Sequence, residues 1–347
     1  MKRLTLVLVI IAAAVLTIGY PNKIYSAEEG KKVIKLKISY HQGPTHLIAR
    51  GIEESFAPLE KMSGGRVEVK FFGSGTLAAG KEAYERTVGG AVDIAHIATT
   101  YWPGRFPLIS VCELPDIFNS AVIGTLAMNK FVNTVPYVKK EFSDVQPLSW
   151  YTTSVYYLLL KKKITSIDGF KGLRLRSAGG MQNKTIERLG ASPIFLDSGE
   201  IPSSLGRGLL DGLPFNVASI PVYRYQEVAG YLVDNLRFGL IPQGLIMNKD
   251  SWAKLPSDIK AMVEECAMNA AIRIAMQFDN EEALAFSFLR NKLEIYSFSP
   301  AETGKFYAAL EPLRNTWVDD KEAKGLQGKE TLNALLKIRD GLTLKWK

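Results

Sequence analysis

Ile167-Asp168-Gly169-Phe170-Lys171-Gly172-Leu173-Arg174-Leu175-Arg176-Ser177-Ala178-Gly179-Gly180 is the stretch on which the reading of this chain turns. Lys171-Gly172 is a turn signal, and Leu173 to Arg176 alternates apolar and cationic residues, the pattern of a short half-buried strand. That strand is expected to end at Arg176. Ser177 to Gly180 then loops, and Met181 to Leu189 offers apolar residues at Met181, Ile186 and Leu189 before Gly190 stops a short helix. Pro193 to Leu196 reads as the next strand. Open α/β sheets bind ligands beyond the carboxyl ends of their strands, so Arg176, last on its strand and beside a glycine-rich loop, is placed to meet an anion. The competing reading is a surface arginine with a salt-bridge partner.

Two further motifs follow, Leu189-Gly190-Ala191-Ser192-Pro193 and Gly208-x-x-Asp211-Gly212. With Gly172 to Arg176 they resemble the second lobe of the solute-binding proteins of TRAP transporters, the DctP-type family of periplasmic receptors for organic acids. Phe71 to Leu77, Lys81 to Val88, Gly89 to Ala95, Phe106-Pro107 and Leu114-Pro115 resemble the first lobe in the same order. The resemblance implies a two-lobed α/β periplasmic binding protein fold with crossing strands and a long helix spanning both lobes. It also implies that Arg176 clamps the carboxylate of the ligand.

The chain has 347 residues, enough for two lobes, and its 47% hydrophobic content can fill two cores. Met1-Lys2-Arg3, the uncharged apolar run Leu4 to Ile18 and Tyr25-Ser26-Ala27 read as an export signal, residues 1–27. A retained membrane anchor is the other reading, but the run is shorter than the ~20 residues a span needs. Removing this segment takes Lys2, Arg3 and Lys23 and no acids, so the formal charge falls from +8 to +5. The cations are scattered and no nucleic-acid motif occurs, so a mildly positive receptor for anions is expected rather than a nucleic-acid partner. Cys112 and Cys266 sit in apolar surroundings and read as buried free thiols, with a single bridge as the alternative for an exported chain.

Along the chain, Val33 to Tyr40 reads as a strand, Leu47 to Lys61 as a helix and Arg66 to Phe72 as the next strand. Ser149 to Leu160 reads as a strand crossing between lobes. The family resemblance starts that crossing near Tyr151 and returns it near Ile241-Pro242. No Gly or Pro occurs from Ser257 to Lys292, and Ile259, Val263, Cys266, Ala270, Ile274 and Phe278 trace a helical face. Such a helix is on the order of 50 Å long. Pro300 to Lys347 reads as one or two amphipathic helices covering the second lobe. The expected division is residues 28–151 with 241–280 as one lobe and 152–240 with 281–347 as the other.

Aligning the motifs on the family places further site residues. His41 falls where sugar-acid-binding relatives present a polar contact, and Ala98 and Tyr101 fall where those relatives carry an acidic and a basic residue. Tyr156 stands at the position of a second arginine, and Phe215 at that of the usual asparagine, with Asn216 one residue later. One arginine with an aromatic lining suits a monocarboxylate with an apolar or aromatic body. Each of His41, Tyr101, Tyr156 and Phe215 also reads as an ordinary structural residue.

Enzyme readings find little material. Three histidines without HExxH spacing or cysteine support make no zinc site, and neither a nucleophile elbow nor a phosphate-binding glycine motif occurs. The expectation is a monomeric periplasmic receptor with no catalytic residues, no metal and no cofactor. By resemblance it would pass an organic acid to the membrane permease subunits of a TRAP transporter; an extracellular receptor for a signalling partner is the alternative.

Overall fold

The structure, a computed structural model, describes residues 33–102 and 104–343. The expected export signal lies outside the described residues. Among those described, no helix is long and apolar enough to cross a membrane.

Two sheets form the frame. The first contains β1 (Ile34–Ser39), β2 (Val67–Phe72), β3 (Ile94–Ala98), β4 (Val145–Thr152) and β10 (Pro242–Asn248), in the order β2-β1-β3-β10-β4. The second contains β5 (Tyr156–Leu160), β6 (Arg174–Ser177), β7 (Ser192–Phe195), β8 (Gly212–Asn216), β9 (Tyr231–Val233) and β11 (Glu294–Tyr296), in the order β11-β9-β5-β8-β6-β7. In each sheet parallel strands meet an antiparallel strand near the crossing: β10 runs against β3, and β5 runs against β8. The ends of β1, β3, β6 and β8 therefore open toward the space between the sheets, as expected of a two-lobed α/β binding fold.

Ser149 to Leu160, expected as one crossing strand, is two. β4 ends at Thr152 in the first sheet and β5 starts at Tyr156 in the second, because the backbone between them bonds to the returning chain instead of to either sheet. Thr153 N donates to the Ile241 carbonyl (3.1 Å), Tyr156 N donates to the Gly239 carbonyl (2.8 Å), and Ile241 N donates to Thr153 Oγ1 (3.0 Å). Two short paired segments thus connect the sheets.

The helix expected over Leu47 to Lys61 runs only from Leu47 to Phe56, and a separate turn covers Leu59–Met62. Pro58 sits between them and has no N–H to continue the ladder. Gly51 faces the long helix Ser257–Leu289, where a Cβ would stand 2.4 Å from Ile274 Cγ1. That long helix has 33 residues. Its Ile259, Val263, Ile274 and Phe278 join the core containing Leu36, Ile38 and Ile52, while Ala285 and Leu289 join the larger core containing Leu158, Leu213 and Leu232. Cys112 and Cys266 are both buried and free.

Residues 300–347 differ from the expectation of one or two helices over the second lobe. They form Pro300–Leu310, Leu313–Glu322 and Gly328–Thr343. The first packs on Gly180–Arg188 beside β6, whereas the last packs on Ala121–Thr134, which lies against β4. Trp317 fixes the return: its side chain is buried and its Nε1 donates to Ser110 Oγ (2.8 Å).

Candidate functional site

A cavity lies between the sheets. His41, Ala98 and Tyr101 line it from the loops and strand ends of the first sheet. Tyr156, Arg176, Phe215 and Asn216 line it from β5, β6 and β8 of the second. Every residue that the sequence proposed for the site therefore meets at one cavity.

Arg176 owes its position to local sequence. β6 begins at the protein surface with Arg174, whose guanidinium pairs with Asp211 (3.0 Å) while Asp211 accepts from the Arg174 backbone (2.8 Å). Two residues on, the strand has passed beneath the surface, and Arg176 is only 1% exposed. Its Nε donates to the Leu196 carbonyl (2.9 Å), its guanidinium carbon stands 5.6 Å from the centre of the Phe215 ring, and its buried Nη1 has no protein partner. No carboxylate among the described residues stands within ion-pair distance of it, although Asp197 feels its charge from farther off. Beyond the strand, Gly179 has φ +94°, and a Cβ there would stand 2.5 Å from the Thr100 carbonyl. Only glycine lets this loop pass so close to the opposite wall.

The histidines are neutral at physiological pH. Burial, then the charge of Arg176, pushes His41 down to about 4. Burial likewise takes His46 to about 3, with His41 and Arg50 adding to the effect. His96 is driven well below its ordinary value, again chiefly by burial. His46 Nδ1 accepts from Ile48 N (3.2 Å), so its Nε2 carries the proton and donates to Ser219 Oγ (3.1 Å) across the cavity. Tyr101 is pushed up to about 12, burial leading, and stays a neutral phenol. Arg176 is thus the charged residue of the lining.

Aromatic rings form much of the remaining wall. Phe215 lies 5.5 Å from Tyr156 and 6.0 Å from Tyr223, and Tyr101 meets Phe195 edge-on at 5.7 Å. Because Tyr101 belongs to one wall and Phe195 to the other, this contact and that between Lys81 and Asp197 (3.8 Å) close the cavity's edge. Trp102 turns outward and donates to Glu85 (2.9 Å). Asn216 is partly committed to structure, its Oδ1 accepting from Ser219 N (3.0 Å).

Sequence reasoning missed Gln42, His46, Tyr223 and Gln243, all of which line the cavity. Gln42 follows His41 in the loop after β1, so the strand-end rule that found Arg176 could have found it. His46 stands out in the sequence only as one of three histidines, too few for a catalytic or zinc site. Among the described residues no group of His, Cys, Asp and Glu could hold a metal ion.

Comparison with known proteins fits this arrangement. Residues 38–320 match the bacterial extracellular solute-binding protein, family 7. The C4-dicarboxylate-binding periplasmic protein DctP of Rhodobacter capsulatus is 23% identical over 307 residues, covering 87% of this chain and 90% of its own. The uncharacterized protein YiiZ of Salmonella typhimurium is 26% identical over 260 residues, 72% of this chain and 75% of its own. A TRAP solute-binding protein of Rhodoferax ferrireducens, solved with copurified benzoate, superposes with a TM-score of 0.84 at 23% identity, covering 91% of this chain and 100% of its own. The chain therefore belongs to the bacterial extracellular solute-binding proteins of family 7, the DctP family, whose members are transport receptors and not enzymes.

Proposed function

We propose that this protein is a periplasmic TRAP receptor that closes its lobes on one organic monocarboxylate with an apolar or aromatic body and delivers it to membrane permease subunits. Arg176 carries this reading: a guanidinium 1% exposed, with Nη1 lacking a protein partner, holds a charge that needs an anion. An uncompensated buried ion costs several kcal/mol, and a carboxylate presents two oxygens that match two guanidinium donors.

The choice of monocarboxylate rests on the rest of the lining. His41 and His46 are neutral, and Tyr101, Tyr156 and Phe215 supply apolar faces, so a second carboxylate would enter without a cationic partner and be penalised. Relatives do not decide the matter, since one named above binds a C4-dicarboxylate and another was solved with benzoate.

A thermal-shift screen tests it. With every acid at the same concentration, one of benzoate, phenylpyruvate and the branched-chain 2-oxo acids should stabilise most, by ~2.7 kcal/mol where that concentration is 100 times its dissociation constant. Stronger stabilisation by succinate, malate or a sugar acid would exclude the monocarboxylate reading.

A further inference from the structure

Just beyond Arg176, the loop that leaves β6 meets the body built on the first sheet. The short helical turn Ile109–Glu113 belongs to that body, since it packs on Ala121–Thr134, on Gly328–Thr343 and on β10. Its last residue, Glu113, is 5% exposed and accepts from Met181 N (2.7 Å), in the first turn of the helix Gly180–Arg188 that follows β6. Gly180 has φ +55°, and a Cβ there would overlap the same carboxyl, while Gly179 passes the Thr100 carbonyl as described above. Within the loop, Ala178 N donates to Gln182 Oε1 (2.7 Å) and Gly179 N to Ser177 Oγ (2.9 Å). Those bonds stay inside the second body, whereas the Met181 bond ties it to the first. Glu113 itself is not among the residues that line the cavity.

A carboxyl is a costly choice for this place, because an amide would accept the same bond without ever becoming charged. Of the charged groups on the elements packed around Glu113, Lys321 is the one whose field reaches it, and that ammonium pairs with Asp320 (2.8 Å). Cys112 beside it stays a neutral thiol, and Glu141, at the other end of the turn, accepts from Leu108 N (2.6 Å) and Ile109 N (3.0 Å) on its own body. Burial raises Glu113 to about 8, so at pH 7 it is a neutral acid. Where the bodies part, water reaches the carboxyl and the value returns toward an ordinary 4.5. The contact therefore favours the closed form most at low pH, and that advantage is lost as pH rises through about 8.

We propose that Glu113 is a positioning residue for ligand capture: in its protonated form it ties the loop behind Arg176 to the opposite body as the two close on an anion. This rests on the closing-receptor reading above and adds a proton to it.

Calorimetry on the purified protein tests it at pH 7 and pH 8.5, with whichever of benzoate, phenylpyruvate, 2-oxoisovalerate and succinate binds most tightly. The depressed histidines of the cavity act with the opposite sign, chiefly below 6.5, so the comparison starts above them. The parent's affinity should fall about threefold or more between the two pH values. Glu113→Gln keeps an acceptor for Met181 N and cannot ionise, so it should bind within threefold of the parent at pH 7 and hold that affinity at pH 8.5. Glu113→Ala removes the acceptor and should bind about tenfold more weakly than Glu113→Gln at pH 7. A parent affinity equal at both pH values, a Glu113→Gln protein that weakens as the parent does, or a Glu113→Ala protein as tight as Glu113→Gln would overturn the tie while leaving the receptor reading standing. Binding of none of the four acids would overturn both. The parent and Glu113→Gln decide the matter even if Glu113→Ala folds poorly.

Discussion

Arg176 gives the account its sharpest exposure to error. In Arg176→Ala the guanidinium that lies 5.6 Å from the Phe215 ring is gone, and a bound carboxylate would be left buried and unpaired. Truncating one partner of a buried, hydrogen-bonded charge pair costs ~2–5 kcal/mol, roughly 30-fold to several thousand-fold in affinity. Arg176→Lys should also weaken binding, because an ammonium cannot reproduce the paired donors or the Nε bond to the Leu196 carbonyl. Arg176→Met keeps most of the volume and removes the charge, so without ligand it should be at least as stable as the parent. Arg174→Ala is the control: its ion pair with Asp211 is exposed, and such pairs contribute ~0–1 kcal/mol. Calorimetry with the best acid from the screen reads affinity, and urea unfolding without ligand reads stability. A folded Arg176→Ala protein that binds within threefold of the parent would show that the carboxylate is held elsewhere.

Three other outcomes follow from the packing. Burial raises Glu113 to about 8 and Glu141 to about 7, above an ordinary 4.5, so the folded protein keeps protons that the unfolded chain releases and loses stability as pH rises. The depressed histidines act with the opposite sign but only below 6.5, so Glu113 should dominate between pH 7 and 8; there Glu113→Gln should flatten a fall of up to ~1.4 kcal/mol per pH unit, seen by urea unfolding. Ser219→Ala removes the acceptor of the His46 bond across the cavity, worth ~1 kcal/mol, and small-angle scattering without ligand should show a larger radius than the parent's. Gly51→Val puts atoms where Ile274 already stands and should cost ~1–3 kcal/mol in urea, with m unchanged.

What could be read from sequence was what local pattern determines. Alternation and glycine punctuation from Lys171 to Gly190 placed β6, its loop and its helix to within a residue, and hence Arg176. The long helix was equally plain, since nothing from Ser257 to Leu289 interrupts it. The break between β4 and β5 was not legible: Thr153, Ser154 and Val155 suit a strand, and only their bonds to the returning chain near Ile241 end it. Nor could amphipathic pattern say which sheet the last helices would cover, because Trp317 and Leu335 need burial and many surfaces would provide it. At the cavity, motif alignment reaches His41 but not Gln42, which comes to line it only through the fold of the loop after β1.

A crystal structure of the complex with the tightest-binding acid tests the central claim most directly. Its carboxylate should lie between the two sheets with one oxygen ~2.8 Å from Arg176 Nη1, the length of a charge-assisted hydrogen bond, and its body against Phe215 and Tyr156. A ligand whose carboxylate sits away from Arg176, or outside the cavity, would contradict the account.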